Sequence, residues 1–213
     1  MLEVPFQKDM SHGVSWDQVY RRQARRADLL SAWIDALGVK PGDRVLDIGS
    51  GPGFFSLKLA DQVGSQGMVY AIDASAEAIA YLERIQADAK VLNIRRLVAD
   101  VGKLGDADIA ANSALITMVL HHAEDPAGIL RAVHRLLAPN GLVVVAEFHP
   151  EGPCEVGASR ADRVAPEQVQ GWCKAAGFHI REYRRQTPEH YMIIAERSPS
   201  TAAMPVEARN NVN

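Results

Sequence analysis

Val45-Leu46-Asp47-Ile48-Gly49-Ser50-Gly51-Pro52-Gly53 carries the strongest structural signal in the chain. Arg44 to Ile48 is a short apolar run that reads as a buried strand. Three glycines at alternate positions follow, and from about Phe54 to Val63 the pattern reads as a helix. Glycines there let the backbone turn sharply and let a ligand approach the main chain. The helix that starts at the turn offers unpaired N–H groups and a positive dipole end. An acid about 20 residues on can accept hydrogen bonds from a ribose diol, and Asp73 stands 22 residues after Gly51.

Outward from this stretch, strands and helices alternate. Trp16 to Leu37 reads as one amphipathic helix, ended by Pro41-Gly42. A second strand, Met68 to Ile72, ends on Asp73, and Ser75 caps a helix to about Gln86. A third strand, Ile94 to Ala99, ends on Asp100. The fourth, Ala114 to Leu120, ends on His121, and a helix from Asp125 to Leu137 closes at the Pro139-Asn140-Gly141 turn. The fifth, Leu142 to Ala146, ends on Glu147. Pro166 opens a helix to Ala176, capped by Gly177. Phe178–Tyr183 and Tyr191–Ala195 complete the set as an antiparallel pair. Such alternation predicts an α/β, Rossmann-like three-layer sandwich with a mostly parallel sheet. Ligands in such sheets bind beyond the carboxyl ends of the strands, which selects Asp47, Asp73, Asp100, His121 and Glu147 for attention.

The dinucleotide fingerprint GxGxxG would need glycine at position 54, where this chain has Phe54. The loop is GxGxG instead. With it go Ala71-Ile72-Asp73-Ala74-Ser75, Ala99-Asp100-Val101 and Val119-Leu120-His121-His122 followed by Asp125-Pro126. Leu137-Ala138-Pro139-Asn140-Gly141 and Ala176-Gly177-Phe178 complete the series. In this order and spacing the chain resembles the class I S-adenosylmethionine-dependent methyltransferases, in the branch of the ubiquinone and menaquinone methyltransferases. The resemblance runs from about Val39 to Glu196. It implies a seven-stranded sheet with the last strand antiparallel, and S-adenosyl-L-methionine as cofactor. It implies that Gly49, Ser50 and Gly51 line the methionine part of the cofactor through their backbones, and Asp47 before them counts among the cofactor-binding residues. Asp73 would hold the ribose hydroxyls, and Asp100 the adenine amino group. Val101 would lie against the ring, Ala74 would flank it, and Val119 would lie near the cofactor.

The acceptor side is read from fewer signals. His121 and His149 are the candidate catalytic bases, and Tyr20 and His122 the candidate substrate contacts. Adjacent residues at a strand end point to opposite sides, which argues against His121 and His122 sharing one metal ion. No metal site is expected. His149 follows Glu147 by two places, so the two should share a side, and Pro150 holds its backbone extended. Glu147 could orient that histidine or hold the first helix. Trp16 and Tyr20 could be core or could cap the pocket. Arg21, Arg22, Arg25 and Arg26, interleaved with Asp17 and Asp28, read as a solvated helix face.

Of 213 residues, 47% are hydrophobic and 23% charged, as in a globular protein with a full core. The net charge of −3 gives no basic field for nucleic acid. Two cysteines, Cys154 and Cys173, with no close pairing fit a reducing cytoplasm. No stretch reaches the roughly 18–20 apolar residues of a membrane span, nor does the start read as a signal peptide. The expected organisation is a disordered 1–13, an N-terminal cap helix over 14–40, a cofactor-binding domain over 41–197 and a disordered tail over 198–213. The expected activity is methyl transfer to a small molecule. The alternatives are an RNA or protein methyltransferase working through the arginine-rich first helix, and a non-catalytic cofactor-binding protein.

Overall fold

The computed structural model describes residues 14–104, 109–155 and 157–198. Most of the two terminal segments expected to be disordered therefore lies outside the described residues. Seven strands form one sheet: β1 (Arg44–Ile48), β2 (Met68–Asp73), β3 (Ile94–Val98), β4 (Ala111–Thr117), β5 (Leu137–Phe148), β6 (Phe178–Arg185) and β7 (His190–Arg197). Their order is β3-β2-β1-β4-β5-β7-β6. The first five are parallel, and β7 runs antiparallel to both β5 and β6. The expected fold class is borne out.

Helices α1 (Trp16–Ala24), α2 (Ala27–Leu37), α3 (Phe54–Val63) and α4 (Ala76–Asp88) accompany one face, and α5 (Pro126–Leu136) and α6 (Pro166–Ala175) the other. Side chains alternate across each strand, so β1 sends Val45 to one core and Leu46 and Ile48 to the other. On the first face, Leu30, Trp33, Phe55, Leu59 and Leu82 pack on Val69, Val144 and Met192. On the second, Leu130, Val133, Val169 and Cys173 pack on Ile116, Val145 and Ile193.

Three expectations are corrected. The single helix over Trp16–Leu37 is two helices, broken at Arg25 and Arg26, where Arg26 leaves helical geometry at φ −101° and ψ 13°. Strand four ends at Thr117, three residues early. Met118 takes φ +56°, and Leu120–His122 form a 3-10 turn in place of extended chain. Strand five begins at Leu137 and passes through the Pro139-Asn140-Gly141 turn signal. There β4 and β5 slip register between Ala111 and Ser113, and Asn140 adopts φ +64°.

Helix α2 belongs to the core rather than to a detachable cap. Trp33 is fully buried, meets Phe55 edge-on at 5.3 Å and donates its indole N–H to Gln186 Oε1 at 2.8 Å. Trp33→Ala would remove the largest side chain of that core and leave Gln186 without its donor. The expected loss, read by chemical denaturation, is about 3–5 kcal/mol.

Candidate active site

At the carboxyl end of β1 the backbone takes positive φ at Gly49 (+66°), Gly51 (+55°) and Gly53 (+88°). Space is short as well. A Cβ on Gly49 would lie 2.3 Å from Val119 Cγ2, and one on Gly53 would lie 2.3 Å from Leu82 Cδ1. Gly49 and Ser50 donate their N–H groups to Ile72 O, which ties the loop to the end of β2.

Asp73 closes that end. Its Oδ2 accepts from Gly51 N at 2.7 Å and its Oδ1 from Ser75 N at 2.8 Å. Burial pushes its carboxyl above the usual range, against these two backbone bonds. Ala74 beside it is exposed. Ala99 N donates to Asp73 O, so the ends of β2 and β3 meet and Asp100 follows directly. Asp100 accepts from Gly102 N at 3.0 Å, capping a 3-10 turn, and pairs with Lys103 at 3.1 Å. Val101 turns into the core.

Two buried atoms beneath the loop have no hydrogen-bond partner among the described residues: Asp47 Oδ1 and Ser50 Oγ. Asp47 Oδ2 accepts from Ser56 at 2.5 Å. Burial pushes the Asp47 carboxyl up to about 7, with the neighbouring Asp73 adding to the rise. A buried acid with one idle oxygen and an idle hydroxyl can receive a polar, amine-bearing ligand, because unpaired buried polar groups are costly otherwise. These residues thus fit the methionine part of the cofactor that the resemblance implies.

Gln23 is a loop contact that sequence reasoning missed. From α1 its Nε2 donates to Ser50 O at 3.0 Å, and its Oε1 accepts from Phe54 N at 3.1 Å. It lies over the loop and caps α3 at a position where Gly53 has no side chain to do so. A glutamine in an amphipathic helix carries no pattern that would mark it. Tyr20 meets Phe54 edge-on at 5.4 Å and Tyr81 at 6.0 Å. It therefore stands on the same side as Gln23.

A second group gathers at the ends of β4, β5 and β7. Glu147, fully buried, accepts from Leu120 N at 2.7 Å and from His121 N at 3.4 Å through Oε1. Its Oε2 lies 2.7 Å from His121 Nδ1. With Oε1 taken up by two backbone N–H groups, Oε2 is left to accept from the imidazole, an arrangement that favours the tautomer with the proton on Nδ1. That leaves Nε2 of His121 with its lone pair. His122 stacks 3.8 Å from His121, so the 3-10 turn brings together two rings that an extended strand would have parted. Among the described residues no three metal-ligating side chains converge.

His149 is placed otherwise. Its Nδ1 accepts from Glu151 N at 3.2 Å, its backbone N–H donates to Glu189 O, and its ring meets Tyr191 edge-on at 5.9 Å. Burial, then Arg185, holds its pKa below the ordinary value. Glu147 orients His121, and His149 has its nearest contacts in the β6–β7 end of the sheet. Arg26 also departs from its expected place. Arg21, Arg22 and Arg25 are exposed, but Arg26 turns inward and lies 5.7 Å over the Phe148 ring.

The Asp47 carboxyl sets a pH dependence. Its folded value, about 7, is above the ordinary 3.8, so the stability it contributes is complete below about pH 4 and is lost as pH rises through about 7. Asp47→Asn keeps an acceptor for Ser56 and cannot ionise. Thermal melts from pH 4 to 8 should show the variant gaining on the parent with rising pH, by up to about 4 kcal/mol for a shift of about three units.

The model of a methyltransferase-domain family matches residues 39–199. The chain is 34% identical over 113 residues to a 2-phytyl-1,4-naphtoquinone methyltransferase of Nostoc, covering 53% of this chain and 49% of that one. It is 31% identical over 116 residues to a ubiquinone/menaquinone biosynthesis C-methyltransferase of Vibrio campbellii, covering 54% and 45%. The chain spans about half the length of these two relatives. A solved S-adenosylmethionine-dependent methyltransferase from Aquifex aeolicus superposes with a TM-score of 0.78 at 20% identity, covering 86% of this chain and 99% of that one. The family match takes in the glycine loop, Asp73 and the Glu147–His121 pair, and the chain belongs to the methyltransferase-domain family.

Proposed function

We propose that this protein transfers a methyl group from S-adenosyl-L-methionine to a small-molecule acceptor. The observation that carries the reading is the Gly49–Gly53 loop closed on Asp73, with Asp47 Oδ1 and Ser50 Oγ idle beneath it. The cofactor, when bound, supplies a methyl group already activated by a sulfonium. Gly49, Ser50, Gly51 and Asp47 would hold its amino-acid end, and Asp73 its ribose hydroxyls. Each Asp73 oxygen accepts one backbone bond and has a further lone pair to offer. Asp100 at the β3 end and Ala74 at the β2 end would take the adenine; Val101, whose side chain lies in the core rather than against the ring as expected, would offer its backbone only, and Val119 flanks the loop.

The rest of the work is alignment and exclusion of water. A base is required only where the nucleophile holds its proton. His121 is the residue suited to that task, because Glu147 accepts from its Nδ1–H and the Nε2 lone pair is then the one that can take a proton. His149 spends its Nδ1 lone pair on Glu151 N and is less suited. His122 and Tyr20 are the further acceptor contacts in this reading. The exposed arginines of α1 behave as a solvated face, with Arg21 paired to Asp17 at 3.0 Å, and give no support to an RNA substrate. No helix among the described residues is long and apolar enough to cross a membrane. The free thiols of Cys154 and Cys173 agree with a cytoplasmic site of action.

Calorimetry should show S-adenosylhomocysteine binding and no heat from NAD; the reverse would refute the reading. Asp73→Ala should weaken S-adenosylhomocysteine at least about tenfold, since each lost charge-assisted hydrogen bond is worth roughly 1.5–3 kcal/mol.

The two histidines separate by kinetics. His121→Ala should lower turnover by roughly 10²–10⁴ with cofactor affinity unchanged, and His149→Ala by less than about tenfold. The opposite ranking would move the base to His149.

A further inference from the structure

The ring of Phe148, at the end of β5, is the wall of a second feature. Its register partner is His190, the first residue of β7, whose ring lies 5.2 Å away. Arg26 lies over the same ring at 5.7 Å and His121 stands 5.6 Å off. Gly157 packs so closely on Phe148 that no side chain would fit there. Phe148 is thus a fixed surface with a guanidinium and two imidazoles around it.

The hydrogen bonds of His190 settle its tautomer. Thr187 Oγ1 accepts from Glu189 N and from His190 N, both at 3.1 Å. Both lone pairs are then used, so its hydroxyl proton goes to His190 Nδ1 at 3.0 Å. The other ring nitrogen therefore carries the ring proton. That Nε2–H is buried and has no acceptor among the described residues, in a residue only 8% exposed. Burial, then Arg26, lowers His190 to about 4, so the ring is neutral and donates through its tautomer.

Arg26 is the matching case. Its guanidinium makes no hydrogen bond or ion pair with any described residue, although burial lowers its pKa to about 10. Glu147 favours its charge from a distance but is committed to His121 and the Leu120 turn. Arg163, the other cation over Phe148, is held by Glu189 at 2.5 Å. Two donors without acceptors, one of them charged, border one aromatic wall beside the candidate base. A buried His190 N–H without an acceptor is costly, and the half-buried guanidinium of Arg26 fits a planar pair of oxygens.

We propose that Arg26 and His190 form the anion subsite of the methyl acceptor, and that the acceptor carries a carboxylate. The inference rests on the reading of this site as a methyltransferase. It gives Arg26 the role of fixing the acceptor's orientation, with its nucleophile turned toward His121.

The test uses the full chain, with and without S-adenosylhomocysteine, at constant ionic strength. Benzoate, acetate, inorganic phosphate and neutral benzamide are titrated while the His190 ring nitrogens are followed by NMR. Benzoate should shift the His190 Nε2 signal saturably and benzamide should not. Arg26→Gln should weaken benzoate at least about tenfold while leaving S-adenosylhomocysteine affinity within roughly twofold, and Arg26→Lys should fall between. Benzamide binding as well as benzoate, or Arg26→Gln binding benzoate like the parent, overturns the subsite. Phosphate acting where both carboxylates fail overturns the carboxylate assignment. Absence of any shift in a protein that binds S-adenosylhomocysteine overturns the subsite alone. Failure to bind S-adenosylhomocysteine overturns the methyltransferase reading instead. Should Arg26→Gln fold poorly by circular dichroism, the parent's benzoate-against-benzamide contrast still decides.

Discussion

At Gly49 and Gly53 the backbone passes where a side chain cannot go, and the rest of the molecule is arranged around that passage. Val119 touches it from the β4 end, Leu82 from α4 and Gln23 from α1. Positive φ at three glycines turns β1 into α3 within five residues. The turn lets the Gly51 amide reach Asp73 and the Ser50 carbonyl reach Gln23. Any Cβ at Gly49 would have to displace Val119, which begins the turn carrying His121. Cofactor loop and candidate base are therefore coupled through one van der Waals contact.

Buried acids do the electrostatic work, in two opposite ways. Asp47 has one hydroxyl partner and an idle oxygen, and burial pushes its carboxyl up to about 7. Glu147 is just as buried but is surrounded by donors, two from the backbone and one from an imidazole. Burial penalises charge, and donors restore it. The first acid is left able to respond to a polar ligand. The second is fully used in holding a histidine ring in one orientation, as a carboxylate behind an imidazole does wherever a defined tautomer is needed.

The sheet was largely legible because strand runs and their acidic ends repeat a simple period. Asp73 was marked by its distance from the glycines, and Ser75 by its capping chemistry. What escaped depended on backbone geometry that composition does not encode. Leu120 looks like one more apolar strand residue, yet Met118 has already turned the chain at positive φ. Pro139-Asn140-Gly141 looks like a turn, and the strand absorbs it by slipping register. His149 was correctly placed after β5, but no local pattern could show that Glu151 N would occupy its Nδ1. Gln23 gains its role only from partners far away in sequence, and His190 in part from the distant Phe148 and Arg26.

Arg26 shows how one such miss constructs a site. Four arginines in six residues read as a solvated stripe if the helix is continuous. The chain instead breaks after α1, and Arg26 N donates to Gln23 O at the join. The break lets Gln23 face the glycine loop and lets Arg26 face Phe148, three residues later. One short segment thus contacts both the glycine loop and the Phe148 ring at the strand ends. A continuous helix from Trp16 to Leu37 would hold its own amides and carbonyls equally well. It would not carry the guanidinium off the exposed stripe of Arg21, Arg22 and Arg25. The irregular join at Arg25 and Arg26 is therefore the element that ties the first helix to the core already anchored by Trp33.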